Sequence, residues 1–212
     1  MTCHCNSCCL AKKRSFNLPE NVILASTSKG RFNVLKSIFP YLKAIPSHFD
    51  ESSINFTDPY LLVSSLSQLK ALSVLDANPH LSDIFIGTDS MTVFQDQVLG
   101  KPKTPEEAHS MLSLLQGNTH SLITGVTLLQ KQKSEIKMKT YTETTLVTFN
   151  DVSSQWISDY IKLGECYYSC GGYFIDSEVG SQLKKSLNGC IYNVIGVGLG
   201  KLQLELDKFT SE

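Results

Sequence analysis

An aspartate that follows an apolar segment is the strongest candidate for chemistry in this sequence. Residues 84–87 (IFIG) have the composition of a buried strand, and Asp89 follows them after Thr88. Sheets in α/β proteins bind ligands at the carboxyl ends of their strands. A carboxylate there can hold Mg²⁺ and can orient or deprotonate a water molecule. The alternative is a turn aspartate that caps the next element.

A second candidate is a phosphate-binding turn near the start of the chain. Residues 22–25 (VILA) predict a buried strand, which leads through Ser26 into a helix with apolar spacing over 31–38. Free N–H groups at a helix N-terminus favour an anion, and Lys29 and Arg31 add positive charge. The spacing of a P-loop is missing. An ordinary serine cap with surface cations explains the same segment.

Three further segments supply charged side chains. Pro102 stiffens a turn that presents Lys101, whose ammonium could offset phosphate charge, although a solvated basic turn is the alternative. Lys70 lies on an apolar helix, where a lone lysine usually extends to solvent. Glu51 follows a predicted strand and could bind a metal or position a water, or lie in a solvated loop. Together, these groups are the parts needed for metal-assisted attack on a phosphoanhydride.

Alternating extended and helical segments must position these side chains. The predicted strands are 22–25, 41–45, 84–87, a hairpin over 91–98, and a long antiparallel pair of 121–129 with 137–149. The predicted helices are 31–38, 59–77, 104–115, 153–163 and 179–187. Residues 191–198 are predicted as a loop or strand, and the last dozen residues as a strand or helix. The mixture predicts an α/β fold with a mixed sheet, in a single domain over 21–212.

Composition limits the classes of protein and partner. The 212 residues suit one domain, and 42% hydrophobic with 18% charged residues is typical of globular proteins. With 19 basic and 20 acidic residues, the net charge of −1 gives no footprint for a nucleic acid polymer. Neither a membrane-spanning segment of ~20 apolar residues nor a secretory signal is evident, so we expect a cytoplasmic protein with no membrane partner.

Cysteines crowd into the first 20 residues, which are predicted to be a disordered tail. This tail holds four of the seven cysteines and a histidine, namely Cys3, His4, Cys5, Cys8 and Cys9. The cluster could bind zinc or copper. Zinc sites usually draw ligands from two separated segments, and no matching Cys/His pair follows, which favours adventitious thiols on a tail. The odd number of cysteines argues against a disulfide framework.

The order and spacing of these motifs resemble the Maf family of nucleotide pyrophosphatases. The resemblance runs over about residues 22–199 and is specific because so many segments match in order. They are 23–28 (ILASTS) with Arg31, 49–51 (FDE), Lys70 with Ala71, 86–89 (IGTD), 99–103 (LGKPK) with 106–108 (EEA), 117–120 with 124–126, Tyr160 with 164–165, 171–173 (GGY) and 193–196 (NVIG).

The resemblance implies hydrolysis of a nucleoside triphosphate to the monophosphate and pyrophosphate. It also implies a divalent cation (Mg²⁺ or Mn²⁺), an elongated, inosine-triphosphatase-like fold whose twisted mixed sheet is flanked by helices, and a homodimer. By the same resemblance, Asp89 would be the general base, and Glu51 a supporting acid or a metal ligand beside Asp89. The phosphate-binding set would be Ser26, Arg31, Lys70 and Lys101.

Departures from the family pattern fall at the positions that would read the base. The dTTP/UTP-cleaving branch commonly has Pro-Arg-Arg where this chain has Gly30 before its arginine, and Thr at the position of Ser90. It has Gln after the Gly-x-Tyr motif, where this chain has a run one residue longer with Asp176 and Glu178. These differences resemble the branch acting on 7-methyl-GTP. An acceptor-only carboxylate also suits the two adjacent donors of guanine.

Three functions stay open at this point. The first is a pyrophosphatase for modified or non-standard nucleotides, with 7-methyl-GTP-like and dTTP/UTP substrates both possible. The second is an inosine-triphosphatase-like enzyme acting on deaminated purines. The third is a catalytically weak nucleotide-binding module, with which the loss of an arginine at Gly30 is compatible.

Overall fold

A mixed sheet forms the centre of the molecule in the computed structural model, which describes residues 5–6, 8, 18–54, 56–81, 84–133 and 135–211. Its strands within these ranges are β1 (Val22–Ala25), β2 (Lys43–Ala44), β3 (Ile84–Phe94), β4 (Gln97–Leu99), β5 (Thr119–Gln132), β6 (Glu135–Phe149) and β7 (Lys184–Asn188). They lie in the order β2-β1-β3-β5-β6-β7, and β4 pairs with β3. β1 is parallel to β2 and β3, and the other pairs are antiparallel.

Helices cover both faces of this sheet. They are α1 (Lys29–Lys36), α2 (Pro59–Ala77), α3 (Pro105–Leu115), α4 (Ser154–Lys162), α5 (Ile191–Ile195) and α6 (Leu199–Ser211). Side chains of Ser28, Asp58, Thr104 and Ser153 cap the first four. The predicted mixed sheet flanked by helices is therefore confirmed. Among the described helices, none has the length and apolar character that crossing a bilayer requires.

Strand β1 shows how the sheet is buried on two sides. Leu24 packs in a cluster with residues of α1 and α6, whereas its neighbour Ile23 packs in a cluster with Ala71 and Val74 of α2. Successive side chains of a strand point to opposite faces, so a strand covered on both faces must be apolar throughout. This burial on both faces explains why all four residues of β1 are apolar.

Two predicted elements are wrong. Residues 179–187 were expected to be helical, but Gly180–Leu183 is a 3₁₀ turn and β7 follows it. β7 pairs with β6 and so satisfies backbone groups at that edge of the sheet. Residues 191–198, expected as a loop or strand, contain the short helix α5, which Gly196 ends with a φ of 108°.

The segment after residue 84 is also more continuous than expected. The predicted strand 84–87 and the first half of the predicted hairpin are one 11-residue strand, β3. The hairpin turn is confirmed at Gln95 and Asp96, which have φ values of 49° and 66°. Such a pair of left-handed residues is the turn that suits the twist of a two-residue hairpin.

Helix α2 packs unusually closely on the sheet at two glycines. A Cβ atom at Gly87 of β3 would overlap the backbone oxygen of Ser67, and one at Gly125 of β5 would overlap that of Val63. The Ser67 hydroxyl also forms a 2.8 Å hydrogen bond with Thr127 of β5. Helix α2 can therefore pack this closely on the sheet only because positions 87 and 125 carry no side chain.

We expect Gly125→Ala to lower the free energy of unfolding by about 1–3 kcal/mol, because the added methyl pushes α2 away from the sheet. Urea unfolding measures this loss. Gly100→Ala is the control, since a Cβ atom there meets nothing within 4 Å. Equal unfolding free energies for the two variants would contradict the close packing of α2.

A buried histidine makes stability depend on pH. Burial lowers the pKa of His120 from 6.5 to about 4, and its Nε2 lies 2.9 Å from the Tyr173 hydroxyl. The unfolded chain takes up this proton below pH 6.5, whereas the folded chain does so only near pH 4. The contribution of His120 to stability is therefore complete above pH 6.5 and is lost as pH falls toward 4.

Between pH 7 and pH 5, we expect this residue to remove about 2 kcal/mol from the free energy of unfolding. His120→Asn should flatten that part of the pH profile, measured by urea unfolding at closely spaced pH values. His80→Asn replaces an exposed histidine and should keep the original slope. An unchanged slope in His120→Asn would refute the assignment.

Candidate active site

A cavity opens at the carboxyl end of β1 and beside the middle of β3, so Asp89 lies within a strand rather than after one. Its volume is about 1230 Å³, above the ~300–1,000 Å³ of most small-molecule sites, so a ligand of nucleotide size fits. Nine of the ten site residues predicted from the sequence line it, and Glu178 is not among the lining residues. The nine are Ser26, Gly30, Arg31, Glu51, Lys70, Asp89, Ser90, Lys101 and Asp176.

Asp89 is held at the cavity by an ion pair with a lysine of α2. It is 7% exposed, and its Oδ1 lies 2.5 Å from Lys70 Nζ. The same ammonium lies 2.9 Å from Glu51 Oε1. Lys70 thus does not simply extend to solvent, as a lone lysine on an apolar helix usually does, but bridges two carboxylates. Asp89 Oδ2 accepts no hydrogen bond from any described residue.

The position of this pair follows from the packing of α2. Asp89 lies two residues after Gly87 on β3, so both point to the face that α2 covers. Asp89 is also paired in register with Gly125 on β5. Lys70 is one turn beyond Ser67, whose backbone sits on Gly87, and this places its side chain over the aspartate.

Arg31 ties the start of α1 to β3. Its Nη1 donates to the Thr88 carbonyl (3.1 Å) and to Ser26 Oγ (3.4 Å), and its Nη2 donates to Ser90 Oγ (3.0 Å). Gly196 leaves room for the guanidinium, because a Cβ there would overlap it. These contacts use only part of the five guanidinium donors, so the others can serve a ligand.

The turn between β1 and α1 has the geometry of an anion site. Ser28 caps the helix by accepting from the Arg31 N–H at 3.3 Å, and its own N–H donates to Ser26 Oγ at 3.2 Å. The first N–H groups of a helix have no partner within it and favour negative charge. Residues 26–31 all line the cavity. The turn that was predicted to bind phosphate therefore lines the same cavity as Asp89.

Lys101 lies on the loop between β4 and α3. This loop is docked by a 2.9 Å hydrogen bond from the Gly171 N–H to the Gly100 carbonyl, and Pro102 is buried beside Gly172. Lys101 itself is exposed and lines the cavity. A rigid turn thus presents an ammonium without using it elsewhere in the described structure.

Only one of the two acids predicted to read the base lines the cavity. Asp176 Oδ2 lies 4.0 Å from the place of a Cβ atom on Gly30, so these two predicted specificity positions are neighbours. Glu178 is exposed and lies outside the lining set. Asp176 is therefore the acid that can meet a ligand in the cavity.

Sequence reasoning did not single out several residues that line the cavity. Tyr168, which is 76% exposed, and Phe174 contribute aromatic rings to its lining. Glu165 also lines it, and its buried Oε2 finds no partner among the described residues. Tyr168 and Glu165 lie in a 3₁₀ turn without apolar periodicity, so the sequence signals Glu165 only through the family match at 164–165 and Tyr168 only through the aromatic pair at 167–168.

A cysteine in the cavity is not a suitable nucleophile. Burial raises the pKa of the Cys170 thiol above its ordinary value, and Asp89 adds to the rise. A thiol with a raised pKa stays protonated near neutral pH, whereas the thiolate is the reactive form. The arrangement therefore supports attack by water rather than a covalent cysteine intermediate.

The cavity thus combines a carboxylate–lysine pair with a helix start that favours anions, in a protein of the mixed α/β class. The model of the family described as Maf-like protein matches residues 21–209. The chain therefore belongs to the Maf family, and the resemblance seen in the sequence is confirmed.

Several relatives carry a named activity. A protein of Clostridium botulinum (strain Loch Maree / Type A3) is 38% identical over 188 residues, covers 86% of this chain and 94% of its own length, and is named dTTP/UTP pyrophosphatase. One of Geobacillus sp. (strain WCH70), with the same name, is 35% identical and covers 89% and 98%. The solved structure of the Staphylococcus aureus Ham1 protein aligns with a TM-score of 0.46 at 18% identity, covering 88% and 98% of the two chains.

Proposed function

We propose that this chain is a nucleoside triphosphate pyrophosphatase, which hydrolyses its substrate to the monophosphate and pyrophosphate. The observation that carries the proposal is the Lys70 ammonium, 2.5 Å from Asp89 and 2.9 Å from Glu51, in a cavity that the start of helix α1 also lines. Membership of the Maf family and relatives named dTTP/UTP pyrophosphatase support it.

Asp89 acts as the general base in this proposal. Lys70 fixes Oδ1 of the carboxylate, which leaves Oδ2 to accept the proton of a water molecule. Water then adds across the anhydride between the α- and β-phosphates, that bond breaks, and pyrophosphate leaves. Ser26, Arg31, Lys70 and Lys101 bind the phosphates, and the cations offset the charge that builds up on the leaving group.

Asp89 and Glu51 would hold a divalent cation, Mg²⁺ or Mn²⁺. The two carboxylates converge on one ammonium, which shows that both reach the same small region. Mg²⁺ usually takes one or two carboxylates and completes its shell with substrate phosphates and water, so this donor set fits it. The bound cation would neutralise charge on the triphosphate and lower the barrier to nucleophilic attack.

Asp176 favours a substrate with a guanine-type base. Its carboxylate is an acceptor only and lies in the cavity beside Gly30. Guanine offers two adjacent donors, whereas the pairing edge of uracil or thymine places acceptors on both sides of one donor. The dTTP and UTP activity in the names of the relatives is the second candidate, because identity to them reaches 38%.

Two other functions have less support. An inosine-triphosphatase-like enzyme would use the same catalytic groups on deaminated purines. A catalytically weak binding module is disfavoured because Asp89, Lys70 and Glu51 are already in contact. A pyrophosphate-release assay across dTTP, UTP, CTP, ITP, XTP and 7-methyl-GTP separates these functions. The homodimer and the cytoplasmic location stay predictions, and sedimentation of the purified chain tests the first.

We expect Asp89→Asn to lower kcat at least about 100-fold, because an amide cannot accept the proton of the attacking water. Pyrophosphate release with Mg²⁺ or Mn²⁺ measures the change. Asp96→Asn, in the exposed hairpin turn, is the matched control and should keep full activity. Activity of folded Asp89→Asn within about threefold of the parent would sink the assigned role.

We expect Asp176→Asn to shift the ratio of kcat/KM for UTP to that for 7-methyl-GTP by about tenfold toward UTP, the effect of one hydrogen bond to a charged group. An amide can donate to the acceptors of uracil, which the carboxylate cannot. Glu178→Gln is the matched control, since Glu178 does not line the cavity. An unchanged ratio in Asp176→Asn, or an equal shift in both variants, would show that Asp176 does not read the base.

A further inference from the structure

Three cysteine sulfurs converge at a place that the proposed reaction does not use. The sulfur atoms of Cys5, Cys8 and Cys190 lie within 4.8 Å of one another, and those of Cys8 and Cys190 are 3.5 Å apart. Cys8 and Cys190 are buried, and Cys5 is partly buried. No cysteine of this triad is among the described residues that line the cavity.

The triad joins two distant parts of the chain. Cys5 and Cys8 belong to the N-terminal cluster, whereas Cys190 comes 182 residues after Cys8. Structural zinc sites usually combine ligands from two separated segments, and the sequence alone gave no sign of the second segment. Cys190 supplies the missing partner, which shifts the balance from adventitious thiols to a metal site.

The distances suit a zinc ion better than a disulfide. Zn–S bonds of about 2.3 Å in a tetrahedron place the sulfurs about 3.8 Å apart, close to the separation of Cys8 and Cys190. A disulfide needs a sulfur separation of about 2.05 Å. Thiolates also select zinc over magnesium and calcium, which prefer oxygen ligands. The triad therefore differs in kind from the carboxylate pair at Asp89.

Cys190 is the rigid member of the triad. Its N–H donates to Thr145 Oγ1 at 3.0 Å, and the same hydroxyl donates to its carbonyl at 3.2 Å. It directly precedes α5, whose last residue, Ile195, lines the substrate cavity together with Gly196. A ligand fixed in this way needs little rearrangement to bind a metal.

We propose that Cys5, Cys8 and Cys190 bind a structural zinc ion, which fastens the N-terminal segment to the end of α5 remote from the cavity. The thiols give up their protons when the ion binds. A fourth ligand would complete the tetrahedral shell that structural zinc sites have. This proposal stands whether or not the chain hydrolyses nucleotides.

Zinc titration of the full chain tests the proposal. The protein is purified under reducing conditions, freed of metal, and titrated with Zn²⁺ in competition with a chromogenic chelator. We expect one zinc per chain, and an affinity at least about tenfold lower in Cys5→Ser and Cys190→Ser, the loss that even outer-shell partners cause. Cys166→Ser, which removes a buried thiol outside the triad, should bind like the parent.

Cobalt distinguishes sulfur ligands from the carboxylates at Asp89. Co²⁺ in the parent should give a thiolate charge-transfer band that Cys5→Ser weakens, and zinc should raise the Tm of the parent more than that of Cys5→Ser. Cys5 is only partly buried, so this variant should fold even if Cys190→Ser does not. The proposal would be overturned by zinc binding that is unchanged in Cys5→Ser or by absence of the cobalt band. A Cys8–Cys190 disulfide that persists under reducing conditions would overturn it as well.

Discussion

The close approach of α2 to the sheet is the constraint on which the site depends. Gly87 and Gly125 have no side chains, so the helix backbone rests directly on β3 and β5. Ser67 and Ala71 of α2 both pack on Gly87, and Lys70 between them extends to Asp89. An alanine at either glycine would lift the helix and separate the ammonium from the carboxylate. The chemistry of the cavity is thus set by packing several residues away from it.

The sequence correctly predicts the helices, strands and turns whose secondary structure is determined by residues close to them in the chain. β1 is apolar throughout, α2 and α3 begin at Asp58 and Thr104 caps followed by proline, and the hairpin turns at Gln95. Residues 179–187 fail because pairing of β7 with β6, a contact between segments distant in the chain, decides their form. Long-range strand pairing overrides the weak helical spacing of a short segment.

The same contrast between local signals and long-range contacts explains which residues of the site could be predicted from the sequence. Ser26, Arg31, Asp89 and Lys101 lie in short motifs whose residue types suggest their chemistry, and the fold brings them together. The bridge made by Lys70 could not be read from the sequence, because its partners come from β3 and from a 3₁₀ turn. Tyr168 was missed, and Glu165 was given no role, for a related reason: side chains in irregular turns leave no periodic pattern.

Two different roles have been given to Lys70, and the structure is consistent with both. The family resemblance places it among the phosphate ligands, whereas here it holds Asp89 and Glu51. A buried carboxylate without an ionic partner destabilises the folded protein, so a cation must lie next to Asp89 before substrate binds. Under the proposed function, Asp89 and Glu51 would hold a divalent cation that supplies this positive charge, and the Lys70 ammonium would then be able to contact phosphate. In this proposal Lys70 would keep the carboxylates in place for a cation and would exchange partners when one binds, which would give a single physical reason for a lysine at this position.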